Sequence, residues 1–127
     1  MKNRPFRERI GFALAGWREA FAREASFRTQ LGLAGLAVAA LFVLRPAPVW
    51  WALVGLTCAL VLALELVNSA VEAVIDLLHP GIHPSIKIAK DMLAGAVLAM
   101  SCAALVVAAA MVVANAPARL AEWGVWR

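Results

Sequence analysis

Glu65, Asn68, Glu72 and Asp76 follow one another at intervals of three, four and four in a stretch that is otherwise almost wholly apolar. At about 100° per residue on an α-helix, these side chains fall within one arc of about 80°. Carboxylates and an amide therefore share a face. Ionisable groups near hydrocarbon are costly and are usually kept for function, so this face is the leading candidate for a reaction site or an ion path. Carboxylates with a lysine can hold Mg2+ and a polyphosphate, because magnesium takes one or two carboxylates together with substrate phosphates. A further carboxylate can accept a hydroxyl proton. Those are the parts of phosphoryl transfer, in which positioning and charge neutralisation supply most of the catalysis. The same residues also suit a proton or cation relay in a small transporter. Acidic residues at a solvated helix end would account for Asp76 and leave Glu65 unexplained. No Gly-x-x-x-x-Gly-Lys-Ser/Thr loop and no soluble-kinase signature occurs in the chain. A nucleotide would have to be held without those devices.

The elements that position this face follow from composition. Of 127 residues, 64% are hydrophobic, against roughly 45–50% in soluble domains. The chain reads as a small all-α membrane protein. Three spanning helices enclose a site poorly, so association with further copies is expected. Over residues 6–21, Phe6, Ile10, Leu14, Trp17 and Phe21 recur at steps of four, four, three and four, with Arg7, Glu8, Arg18 and Glu19 between them. That is an amphipathic helix suited to the headgroup region. If the helix continues, Glu24 lands on the apolar stripe, where it either pairs with Arg28 at i,i+4 or serves as a ligand.

Residues 31–44 are an uninterrupted apolar run that Arg45-Pro46-Ala47-Pro48 ends, since proline removes a donor and restricts the residue before it. Trp50 and Trp51 mark an interface. From there to residue 78 is about 43 Å of helix, more than a hydrocarbon core of about 30 Å, so the carboxylates lie near and beyond one membrane surface. His79-Pro80-Gly81-Ile82-His83-Pro84 reads as a turn, and its prolines argue against a helical metal pair of the two histidines. Lys87, Lys90 and Asp91 precede a third span, residues 92–114, rich in small residues that permit close helix contact. The expected layout is a single membrane domain, 1–127: surface helix 4–28, spans 30–45, 49–78 and 86–114, and a tail 115–127 whose Trp123 and Trp126 anchor at an interface. Cys58 and Cys102 read as small buried hydrophobes.

Lys2, Arg4, Arg7, Arg9, Arg18, Arg23 and Arg28 precede the first span, and Lys87 and Lys90 precede the third, against Arg45, Arg119 and Arg127 on the other side. The positive-inside rule puts the N-terminus in the cytoplasm. No groove-reading motif accompanies the basic segment, which excludes nucleic acid as the partner, and the start of the chain lacks the apolar core of a secretory leader. With three spans, Glu24, residues 65–76, the histidine turn and Lys90-Asp91 meet at one surface.

Glu65-Leu-Val-Asn68-Ser-Ala-Val-Glu72-Ala-Val-Ile-Asp76, with Ala89-Lys90-Asp91-Met92 after it and Glu24-Ala-Ser-Phe27-Arg28 before it, resembles the prokaryotic diacylglycerol kinase and undecaprenol kinase family over roughly residues 11–110. The resemblance implies a homotrimer in the bacterial inner membrane, with a surface helix and three spans per chain and sites shared between neighbouring subunits. It implies ATP-dependent, Mg2+-dependent phosphorylation of a lipid hydroxyl, diacylglycerol being the preferred acceptor over undecaprenol. By motif, Glu65 would be the general base supported by Asn68, and Glu24 and Glu72 would hold the metal at the nucleotide. Asp76, His83, Lys90 and Asp91 would contact the nucleotide, and Phe27 and Arg28 would border the lipid. The chain departs from the better-known members in having no tyrosine, and in carrying Ala13 and Ala94 at places where a hydroxyl is expected.

Overall fold

A computed structural model describes residues 2–124. It consists of four helices, α1 (Phe6–Arg23), α2 (Ala25–Leu44), α3 (Pro48–Leu78) and α4 (Pro84–Glu122), with no strand among the described residues. α2, α3 and α4 are each long and apolar enough to cross a membrane. At 1.5 Å per residue they reach about 30, 46 and 58 Å. α2 thus matches a hydrocarbon core of about 30 Å, while α3 and α4 project beyond it.

The expected surface helix 4–28 is two pieces. Helix α1 stops at Arg23, Glu24 is extended (φ −106°, ψ 107°), and residues 25–28 open α2. Neither glycine nor proline marks the break, so the sequence periodicity runs straight through it. The exposed helix ends are instead satisfied locally: Glu24 N–H donates to Ala20 O at 2.8 Å and Arg28 N–H to Glu24 O at 3.2 Å. The Arg28 guanidinium reaches back to Phe21 O at 2.7 Å and Ala22 O at 3.4 Å. Arg28 thereby covers carbonyls that α1 leaves without partners, rather than pairing with Glu24.

The stop at Arg45 and the start at Pro48 agree with the proline signals. Arg45 caps α2 in the left-handed region (φ 46°, ψ 56°), a conformation that costs a non-glycine residue about 1 kcal/mol. Arg119 compensates from α4, donating through Nε to Leu44 O at 2.6 Å and through Nη2 to Arg45 O at 3.1 Å. This docking explains why α4 continues through Pro117 to Glu122, where the sequence suggested a tail. Trp123 is exposed at the end of α4; Trp126 and Arg127 lie outside the described residues.

α3 packs against both α2 and α4. Leu41, Leu44, Val54 and Met111 close the bundle at the Pro46 end. Ala20, Phe27 and Leu62, with Leu31, Ala34 and Leu66 beside them, close it at the Glu24 end. Trp17 joins the second cluster edge-to-face with Phe27, centroids 5.5 Å apart. Many large apolar side chains point outward, among them Leu36, Phe42, Val106 and Val113. Such a surface suits lipid or further copies of the chain, not water. Cys58 is half-buried, but Cys102 lies on the outer face of α4 and is not in the core.

Candidate active site

The polar face of α3 is graded along its axis. Counted from Pro48, Glu65 lies about 26 Å along the helix, Glu72 about 36 Å and Asp76 about 42 Å. Glu65 is thus near the far edge of a hydrocarbon slab of about 30 Å, with Glu72 and Asp76 beyond it.

Glu65 is 4% exposed. A carboxylate so enclosed needs a partner, and the first turn of α2 supplies one: Ser26 Oγ donates to Glu65 Oε2 at 3.1 Å. One turn further, Asn68 Oδ1 is sealed from solvent with no hydrogen-bond partner. Buried acceptors are rarely left in that state, and this one fits a cation or a ligand donor. Glu72 is half-buried.

At the end of α3 the chain turns through residues 79–83 into α4. His83 caps α4, its Nδ1 accepting from Ser85 N–H at 3.1 Å. In a neutral imidazole this assignment leaves the proton on Nε2, free to donate. Lys90 Nζ pairs with Asp76 Oδ1 at 2.6 Å, and Lys87 Nζ with Asp91 Oδ2 at 2.6 Å. Asp76, His83, Lys90 and Asp91, four of the residues expected at a nucleotide, line one cavity of about 270 Å³ together with His79 and Lys87. The N-terminal turn of α4 borders this cavity, and the N–H groups of such a turn favour anions.

Glu24 stands at the hinge between α1 and α2. It occupies an N-cap position, yet its side chain makes no capping bond, which leaves the carboxylate available. Among the described residues no three His, Cys, Asp or Glu side chains form a metal cage within the chain. Two carboxylates suffice for magnesium when phosphates complete the shell. The uncommitted Glu24 carboxylate and the unpartnered Asn68 Oδ1 are oxygen donors of the kind that ion takes. Phe27 is only 1% exposed, its ring packed with Ala20 and Leu62.

Two polar links escape the sequence reading. The periodicity places Ser26 on a continuous surface helix, and only the break at Glu24 brings it to α3. Gln30 Nε2 donates to Ser101 Oγ at 2.9 Å, joining α2 to α4. The four-residue interval from Ser26 to Gln30 is the one signal that both face the bundle.

Span-length helices, an amphipathic helix beside them and a graded acidic and basic cluster at one end define a multi-span helical membrane protein with a polar site at the bilayer boundary. The chain belongs to the prokaryotic diacylglycerol kinase family, whose model it matches over residues 11–112, a segment that contains every candidate residue above. It is similar to a protein named diacylglycerol kinase from Synechocystis sp. (strain ATCC 27184 / PCC 6803 / Kazusa), 43% identical over 99 residues, covering 76% of this chain and 55% of that one. A Pseudomonas aeruginosa protein of the same name is 40% identical over 82 residues, covering 65% of this chain and 67% of the relative. A third, from Helicobacter pylori (strain J99 / ATCC 700824), is 35% identical over 83 residues, covering 65% of each chain. The match therefore spans about half to two thirds of the length of these relatives.

Proposed function

We propose that this chain is an ATP- and Mg2+-dependent lipid kinase that phosphorylates the hydroxyl of diacylglycerol to give phosphatidic acid. The observation that carries the reading is the division of α3's polar face by depth. A buried carboxylate, Glu65, stands at the bilayer boundary, and a cavity of lysines, carboxylates and histidines opens about three turns further on. A lipid hydroxyl reaches the first from the membrane and a nucleotide reaches the second from water. The names of the three relatives support diacylglycerol as acceptor.

In this reading Glu65 takes the proton from the lipid hydroxyl as its oxygen bonds to the γ-phosphorus. The bond from that phosphorus to the β,γ-bridging oxygen breaks, and ADP leaves. Lys90 and the Nε2–H of His83 donate to phosphate oxygens, while Asp76 and Asp91 hold the lysines in place and contact the nucleotide. Glu24 and Glu72 hold the metal, with Asn68 Oδ1 supporting them. When bound, Mg2+ neutralises charge on the transferring phosphoryl group. Arg28, fixed against the carbonyls of α1, and the backbone around Phe27 border the lipid side.

The apolar outer faces of α2 and α4 support assembly as a homotrimer, with each site completed by a neighbouring subunit. The basic residues of α1 and the start of α4 support a cytoplasmic site in the bacterial inner membrane.

The test is transfer of labelled γ-phosphate in mixed micelles offered diacylglycerol and undecaprenol side by side. Transfer to diacylglycerol, lost in Glu65→Gln with the oligomer intact, is the expected result. Preferential transfer to undecaprenol would move the acceptor assignment, and full activity of Glu65→Gln would remove Glu65 as base. Proton or solute flux in liposomes without lipid phosphorylation would replace the kinase reading with a transporter.

A further inference from the structure

We infer that Ser26 is a positioning residue for Glu65, holding one carboxylate oxygen so that the other faces the acceptor hydroxyl; this rests on the reading of Glu65 as the base. The two residues are 39 apart in sequence and meet through the 3.1 Å bond from Ser26 Oγ to Glu65 Oε2. Nothing among the described residues donates to Oε1. Yet the only partnerless side-chain atom sealed inside the described structure is Asn68 Oδ1. Oε1 is left without a partner among the described residues, on a residue that is only 4% exposed. The carboxylate has one oxygen tethered and one uncommitted.

Ser26 is itself exposed, and the tether is held through its neighbours. Phe27, adjacent to Ser26, packs with Ala20 and Leu62, and its ring meets Trp17 edge-to-face. Leu62 and Leu66, which bracket Glu65, belong to or pack against the same cluster. Gln30, one turn beyond Ser26, is bonded to Ser101 on α4. The start of α2 is thus fixed against α1 and α3 by Phe27 and against α4 by Gln30, which sets the backbone from which Ser26 reaches Glu65. A carboxylate on a glutamate stem has three rotatable bonds, and reaction requires one orientation of it. Restricting that freedom is the kind of preorganisation that raises turnover rather than substrate binding.

The experiment measures kcat and KM for lipid and for MgATP in mixed micelles with the full chain and its Ser26→Ala, Ser26→Cys and Ser26→Thr variants, beside Glu65→Gln. Cysteine nearly matches serine in shape but is a weak donor, and threonine keeps the hydroxyl. Ser26→Ala and Ser26→Cys are expected to lose about tenfold in kcat, the scale of one hydrogen bond to a charged group, with KM for MgATP within about twofold. Ser26→Thr should recover most of the loss. Wild-type kcat in both Ser26→Ala and Ser26→Cys, or a loss that Ser26→Thr shares in full, would overturn the positioning role. So would a loss expressed equally in KM for MgATP, because a general loosening of the bundle moves both. Full activity of Glu65→Gln would instead remove the base reading itself, whereas an inactive Glu65→Gln beside a fully active Ser26→Ala removes only the role of Ser26.

Discussion

Lys90 has two possible duties, and substituting it separates them. Its Nζ lies 2.6 Å from Asp76 Oδ1, but the side chains are 34% and 63% exposed. At that exposure the solvent screens most of the pair's attraction, and it contributes little to stability. If the pair were the whole purpose of Lys90, Lys90→Met and Asp76→Asn would be equivalent, each costing little stability and little activity. A nucleotide role predicts otherwise. A charge-assisted hydrogen bond to a phosphate in that cavity is read as a loss of roughly ten- to hundredfold in kcat/KM for MgATP when the lysine is removed. Asp76→Asn removes the lysine's anchor and one contact but leaves the lysine's charge in place, so it should cost less than Lys90→Met. The assay is initial-rate kinetics with varied MgATP at saturating lipid, beside thermal unfolding in the same detergent. Equal small effects from the two variants would refute the reasoning and return Lys90 to a surface pair. A large loss of stability on Lys90→Met would refute it as well, because so exposed a pair stabilises the fold little.

Arg119→Ala strips the donors from Leu44 O and Arg45 O at the end of α2. It should destabilise the protein by about 2 kcal/mol, whereas Glu122→Ala, which removes only the exposed partner, should cost less than about 1 kcal/mol; unfolding in detergent measures both. Gln30→Ala and Ser101→Ala should each destabilise the bundle, with a double-mutant coupling of about 0.6 kcal/mol, the usual worth of an interhelical bond in a membrane protein. Strict additivity would mean that the 2.9 Å contact carries nothing.

Helix count, the stop at Arg45, the start at Pro48 and the turn at residues 79–83 are legible in the sequence because proline and long apolar runs act locally. The grouping of Asp76, His83, Lys90 and Asp91 is legible too, since one turn must bring the ends of two adjacent spans together. The break at Glu24 is not. It involves no residue that forbids a helix, and it is held by a guanidinium reaching back seven positions to carbonyls that periodicity does not register. The reach of α4 to Glu122 is hidden for a related reason. Asn115 and Pro117 argue for an end, while the docking of Arg119 onto a carbonyl 75 residues away favours continuation. The burial of Phe27 is hidden as well, because it depends on how α1 folds back onto α2 and α3, which follows from the same unsignalled hinge.

That hinge joins the two halves of the proposed chemistry. Were residues 4–28 one straight helix, Ser26 and Glu24 would ride on a surface element whose roll is set by its outward apolar stripe, and neither would have a fixed relation to α3. Breaking at Glu24 transfers Ser26 to a spanning helix, where its register against Glu65 is set by Phe27, Leu62 and Gln30. It also leaves Glu24 at a helix end with its carboxylate uncommitted. A single extended residue thus brings a hydroxyl to the buried Glu65 carboxylate and leaves the Glu24 carboxylate without a capping bond. Moving phosphate from water to lipid needs both, because the proton acceptor must sit where the lipid hydroxyl arrives and the charge-neutralising groups must sit where the nucleotide does.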